Sequence, residues 1–148
     1  MASLMFNTIK DDMQPDLVAY KIDADNETIT GTGVDMTGYQ GVVFFVVAGK
    51  GEVATFSIKA QQDSAVGFGT AADLLGSAVS FATAVNTSGF AFLEIRNPAE
   101  QYVRPIITVP NITTPVAVTV VALRYGKNWR PETNADGEVH VAPAEGTA

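Results

Sequence analysis

The chain contains no cysteine, one tryptophan and one histidine, and only 17% of its residues are charged. Without cysteine, neither a disulfide framework nor thiol chemistry contributes to folding or reactivity. The single histidine, His140, stands in a polar C-terminal stretch, so a two-histidine metal site or a serine–histidine pair is not expected. Basic residues number nine against sixteen acidic ones, for a net charge of −7, and they are scattered. Phosphate-backbone binding needs clustered Lys and Arg, so nucleic acid is set aside as a partner. The longest uninterrupted apolar run, residues 42–48, is too short for a membrane-spanning helix. The first thirteen residues, MASLMFNTIKDDM, lack the charged and long apolar regions of a signal peptide. The expectation is a protein made in the cytoplasm, with no membrane partner.

What is present is strand and turn chemistry. Apolar residues make up 47% of the chain, enough to exclude a wholly disordered polypeptide, and Val, Thr and Ala dominate with 13 glycines. Residues 42–48 are apolar on both faces, as in a strand inside a sandwich core. Residues 53–61 alternate: Ala54, Phe56, Ile58 and Ala60 point one way, and Thr55, Ser57, Lys59 and Gln61 the other. Gly49-Lys50-Gly51-Glu52 between them predicts a hairpin turn joining the two as partners. A first strand over 18–24 is predicted with Val18, Tyr20 and Ile22 facing in. A helical turn is expected over 71–75, and further strands over 77–85, 90–96, 101–109 and 116–125. On 101–109, Val103, Ile107 and Val109 face in, and Ile106 faces out. Pro105 cannot donate to a ladder and so predicts an edge or a bulge. Seven to nine short strands with turns between them and no helix-length period predict an all-β antiparallel sandwich, jelly-roll-like, over residues 17–126. Residues 1–16 read as an N-terminal arm. Residues 127–148, polar and interrupted by Pro131 and Pro143, read as an extended acidic tail.

Chemical motifs are weak. Residues 67–72 match a loose dinucleotide fingerprint, but a polar loop precedes them and no full helix follows. The glycine-flanked Lys50 lacks the spacing of a phosphate-binding loop. Asp23, Asp25 and Glu27 offer carboxylates for calcium without the glycine and distal glutamate of the known loop. Glu94, Arg96, Glu100 and Arg104 flank one turn and read as rim ion pairs. No cofactor, metal or catalytic set is expected, so the chain reads as a non-enzyme. The functional signal is instead a set of interface-type residues: Trp129 and Arg130 just past the last strand, with Tyr125, Arg104 and Tyr102.

The succession D-x-x-x-Y-K-I-D over 16–23, G-Y-Q-G-V-V-F-F-V-V, F-S-I-K-A-Q-Q-D-S, Y-V-R-P-I-I-T and V-V-A-L-R-Y-G resembles small structural proteins of tailed bacteriophages. Several of these act as capsid decoration or cement proteins. The resemblance spans residues 16–126 and carries no catalytic residues with it; the acidic tail after Gly126 departs from it. It implies a virion protein on the capsid surface, made in the host cytoplasm. Its partner would be the major capsid protein, and it would be a homo-oligomer, dimer or trimer. A head–tail connector or tail component is the alternative within that class. A carbohydrate-binding β-sandwich module ranks lower, because the outward faces read as Thr, Ser, Lys and Gln.

Overall fold

The computed structural model describes residues 12–126. Their regular structure is β1 (Gln14–Ala24), β2 (Glu27–Thr30), β3 (Val34–Asp35), β4 (Gly41–Ala48), β5 (Ala54–Asp63), β6 (Ala72–Asp73), β7 (Val79–Thr83), β8 (Gly89–Arg96), β9 (Tyr102–Val109) and β10 (Val116–Tyr125). A four-stranded antiparallel sheet runs β1-β10-β4-β8. A second sheet runs β2-β9-β5-β6, with β3 also on β9 and β7 also on β5. The two sheets pack into the expected all-β sandwich. Alternation supplies the core from both sides. Val42, Phe44, Val46 and Ala48 of β4 and Val118, Val120 and Ala122 of β10 face Phe56, Ile58 and Ala60 of β5 and Val103 and Ile107 of β9. All are 0–1% exposed, and burying them is the main favourable contribution to folding.

Four expectations need correction. First, β4 and β5 are not a hairpin. β4 pairs β10 and β8, whereas β5 pairs β6, β7 and β9. Each strand has a fully apolar face, and stacking those faces across the core buries both, which pairing within one sheet does not. The connection is held by other elements: Gly49 N–H donates to Ala117 O at 2.8 Å and Gly51 N–H to Ala84 O.

Second, β1 begins at Gln14, paired with Arg124, so residues 14–16 belong to the sheet rather than to an arm. Its register slips between Leu17 and Ala19. One extra residue in a strand reverses the facing of everything beyond it. Val18 is therefore buried, whereas Tyr20 and Ile22, predicted inward, are 64% and 58% exposed.

Third, β9 is an interior strand despite Pro105. β2 pairs with Ile106–Val109 and β3 with Tyr102–Val103, leaving a break opposite Pro105. Gly31 N–H donates to Pro105 O at 2.8 Å, so the side of Pro105 without a donor faces that break. Ile106, predicted outward, is 6% exposed.

Fourth, in place of the helical turn expected over 71–75, Ala72 and Asp73 form the two-residue strand β6 against Gln62 and Gln61.

At one end of the sandwich Arg124 ties the sheets together. Its guanidinium donates to Asp35 O at 2.7 Å, pairs with Asp16 at 2.9 Å and lies 4.7 Å above the Tyr39 ring. Burial alone raises the Asp35 carboxyl pKa. The Thr37 hydroxyl and N–H, Gln101 and the charge of Arg124 outweigh that and hold it below the usual range.

Candidate interaction face of the four-stranded sheet

The side chains that alternate away from the core on the first sheet form three rows across its strands. The middle row is Leu17, Val121, Phe45 and Phe92, each paired with the next. On one side lie Pro15, Leu123, Val43 and Glu94, and on the other Tyr20, Thr119, Val47 and Phe90. β-Branched or aromatic residues at eight of these twelve positions suit a pleated sheet, but here the outer side of the pleat is also largely apolar. Leu17, Tyr20, Phe90 and Phe92 are 58–65% exposed. Phe45 stacks on Phe90 with ring centroids 6.3 Å apart and lies 6.4 Å from Phe92, so the aromatic part is braced before any partner arrives.

The three rows cover about 400 Å² in plan, from strand spacings of about 4.8 Å and two-residue steps of about 6.7 Å. That is as large as the largest apolar patch on a typical monomer, which is often a binding surface. Its charged groups keep to one end. Tyr125 lies across Gly41, where any Cβ would meet the phenol ring, and its hydroxyl donates to Glu94. Burial, then the Glu94 carboxylate, raises the Tyr125 phenol above its ordinary pKa. Arg96, paired with Gly41, completes this rim.

The second sheet's outer side differs. Thr55, Ser57, Lys59 and Gln61 line β5 as predicted, with Lys59 paired to Asp73 at 2.7 Å. Arg104 donates to Gln61 Oε1 at 3.0 and 2.8 Å and covers the Phe68 ring at 4.3 Å. Phe68, in the loop that had matched a dinucleotide motif, is 9% exposed and is itself a packed side chain. The loop is organised by Asp63, which accepts from Ala65 N–H at 3.0 Å and Thr70 N–H at 2.8 Å. The Ala65 bond, joined by those of Thr70, holds the Asp63 carboxyl below its usual range against the effect of burial. Its stabilisation is therefore complete above the unfolded value of about 3.9 and is lost as pH falls through the lower folded value. Hydrogen exchange at Ala65 and Thr70 is expected to show protection at pH 6 that fades below about pH 4. Protection unchanged down to pH 2 would remove Asp63 from this role.

The sequence-derived interface residues do not converge on one surface. Tyr125 is at the rim of the first sheet's outer face, while Tyr102 and Arg104 stand on β9 in the second sheet. Trp129 and Arg130 lie outside the described residues. Of the carboxylates considered for calcium, Asp25 accepts from Ile112 N–H at 2.8 Å and Glu27 pairs with Lys21 at 3.0 Å. Among the described residues no group of three or more His, Asp or Glu is placed to hold a metal. Glu94 and Arg104, read as members of a rim of ion pairs, instead bind Tyr125 and Gln61. A shallow cleft of about 410 Å³ lies between Met36, Tyr39, Pro98 and Gln101 at the Arg124 end.

Sequence reasoning missed Leu17, Phe45, Phe90 and Phe92 as interface residues. The signal was there: strands apolar on both faces, in a sandwich whose sheets each have only one inner side. The polar outward residues that ranked carbohydrate binding low, Thr55, Ser57, Lys59 and Gln61, belong to the second sheet.

No protein-family model matches the sequence, and no curated protein matches it. Among solved structures the fold is similar to that of the PBSX exported protein XepA, a phage-related protein. The TM-score is 0.54 and the identity 13%, over 88% of this chain and 43% of that one. At that identity the likeness defines the class of fold, an all-β sandwich shared with a phage-related protein, and this chain spans less than half of that protein's length.

Proposed function

We propose that this chain is a structural protein of a tailed-phage virion that binds the outer capsid surface between major capsid subunits and stabilises the shell. The observation that carries the reading is the apolar outer face of the first sheet, a feature suited to building a multi-copy protein assembly rather than to a reaction. The fold shared with a phage-related protein supports it, as does the sequence resemblance to virion proteins. In this reading the chain is not an enzyme, and it acts by spreading contact across capsid subunits. A chain of 22 residues spans at most roughly 70 Å, so residues 127–148 are long enough to touch a neighbouring subunit.

Copy number tests the reading. Quantitative mass spectrometry of purified virions should find hundreds of copies per particle. Six or twelve would mean the connector or tail role, and none would end the proposal. On particles lacking the protein, re-addition of a chain without residues 127–148 is expected to bind at least about 10-fold more weakly, with Trp129→Ala reproducing much of the loss. Full-strength binding by the shortened chain would place the capsid contact on the sandwich alone. The exposed rings of Tyr20, Phe90 and Phe92 favour one second reading, stacking of sugars, although besides the Tyr20 hydroxyl only Glu94 and Thr119 supply polar groups among the three rows. Saturable binding of a glycan by the purified chain, lost in Phe92→Ala, would support it.

A further inference from the structure

We infer that the outer face of the four-stranded sheet is where two copies of this chain pair, sheet against sheet about a two-fold axis. This names the self-contact of the assembly and stands apart from the question of which particle the assembly joins.

The extent of the face selects the occupant. Apolar side chains reach from Leu17 on β1 to Phe92 on β8, the full width of the sheet. A single strap of chain, such as residues 1–11, covers about one strand spacing of roughly 4.8 Å and leaves most of that width in water. Another copy presents a matching flat face of the same width, and sheets stack face to face about 10 Å apart with their side chains interdigitated. The same patch on both partners is the requirement of a closed two-fold dimer.

Charge placement agrees. The middle row has no polar side chain, and the charged groups Glu94 and Arg96, of opposite sign, sit together at one end. A second copy therefore covers the centre without burying an unpaired charge, which would be costly. With rim side chains included, two copies bury about 1,000 Å² in total, near the lower bound for a specific interface. Interfaces at that lower bound are typically weak and transient, so pairing of about micromolar strength is expected, tightened where copies are held side by side on a common surface.

The test uses the full chain alone, without particles, in sedimentation velocity from about 1 to about 200 µM, a range that brackets a micromolar constant. Wild type is expected to pass from monomer to dimer. Phe92→Arg and Leu17→Arg should weaken pairing about 100-fold or more by burying a charge in the contact. Thr55→Arg, on the outer side of the second sheet, should dimerise as wild type does. Circular dichroism melts of all three variants check that folding is intact; both target side chains are more than half exposed, so it should be. A wild type that stays monomeric throughout, an oligomer that persists in both face variants, or a dimer broken only by Thr55→Arg would overturn the inference. None of these results depends on capsid binding, so failure here leaves the re-addition experiment standing, and the reverse.

Discussion

Phe56→Ala is expected to lower the free energy of unfolding by about 3–5 kcal/mol, while Lys59→Ala on the same strand costs under about 1 kcal/mol. Phe56 is 1% exposed and stacks on its cross-strand partner Phe81 with ring centroids 5.5 Å apart. Truncation removes that stack and leaves a cavity between two sheets whose backbones are held by ladders on either side, so little collapse can refill it. Lys59 points the opposite way, and its 2.7 Å ion pair with Asp73 leaves both side chains well exposed, at 39% and 52%. Water screens such a pair, which is why its contribution is small. Against a typical total of about 5–15 kcal/mol, the first substitution removes a large share of the stability. Chemical denaturation of the two variants should separate them by several-fold; equal losses would mean that the facing of β5 is wrong.

Gly33→Ala is expected to cost about 1–3 kcal/mol although it adds a single methyl group. Gly33 lies between β2 and β3, and a Cβ there would fall on the ring of Phe68. The ring has little room to retreat. Phe68 is 9% exposed, has the Arg104 guanidinium 4.3 Å away, and is held at a φ of 51°, a left-handed conformation that non-glycine residues rarely take. Burial of the ring is what makes that conformation tolerable, so displacing the ring should release the loop over residues 64–71. Limited proteolysis and hydrogen exchange should show new accessibility in that loop with the sandwich core still protected. A variant with wild-type melting and wild-type loop protection would show that the ring does not depend on the gap at Gly33.

Much of this architecture was legible in the residues themselves. The alternation of Thr55 to Gln61 gave the facing of β5 correctly, because side chains in a regular strand point alternately to either side whatever the strand pairs with. Turn-forming residues and the lack of a helical period defined the all-β class for similarly local reasons. Facing failed at Tyr20 and Ile22, where a bulge in β1 displaces the pattern by one residue. A bulge depends on the partner strand, here β10, which lies about a hundred positions away in the chain and leaves no mark on the local alternation.

The candidate site divides along the same line. Composition and periodicity by themselves determined that this chain builds short strands, that those strands carry a large apolar surface, and that no cysteine or histidine cluster takes part in its chemistry. They could not assign that surface to the inside or the outside. Phe44 and Phe45 are adjacent and chemically identical, yet one is fully buried while the other stands on the outer face beside Phe90 and Phe92. The choice was made by the second sheet, which covers one side of β4 and leaves the other free. Only the tertiary structure decided it, because burial belongs to what packs against a side chain and not to the side chain itself.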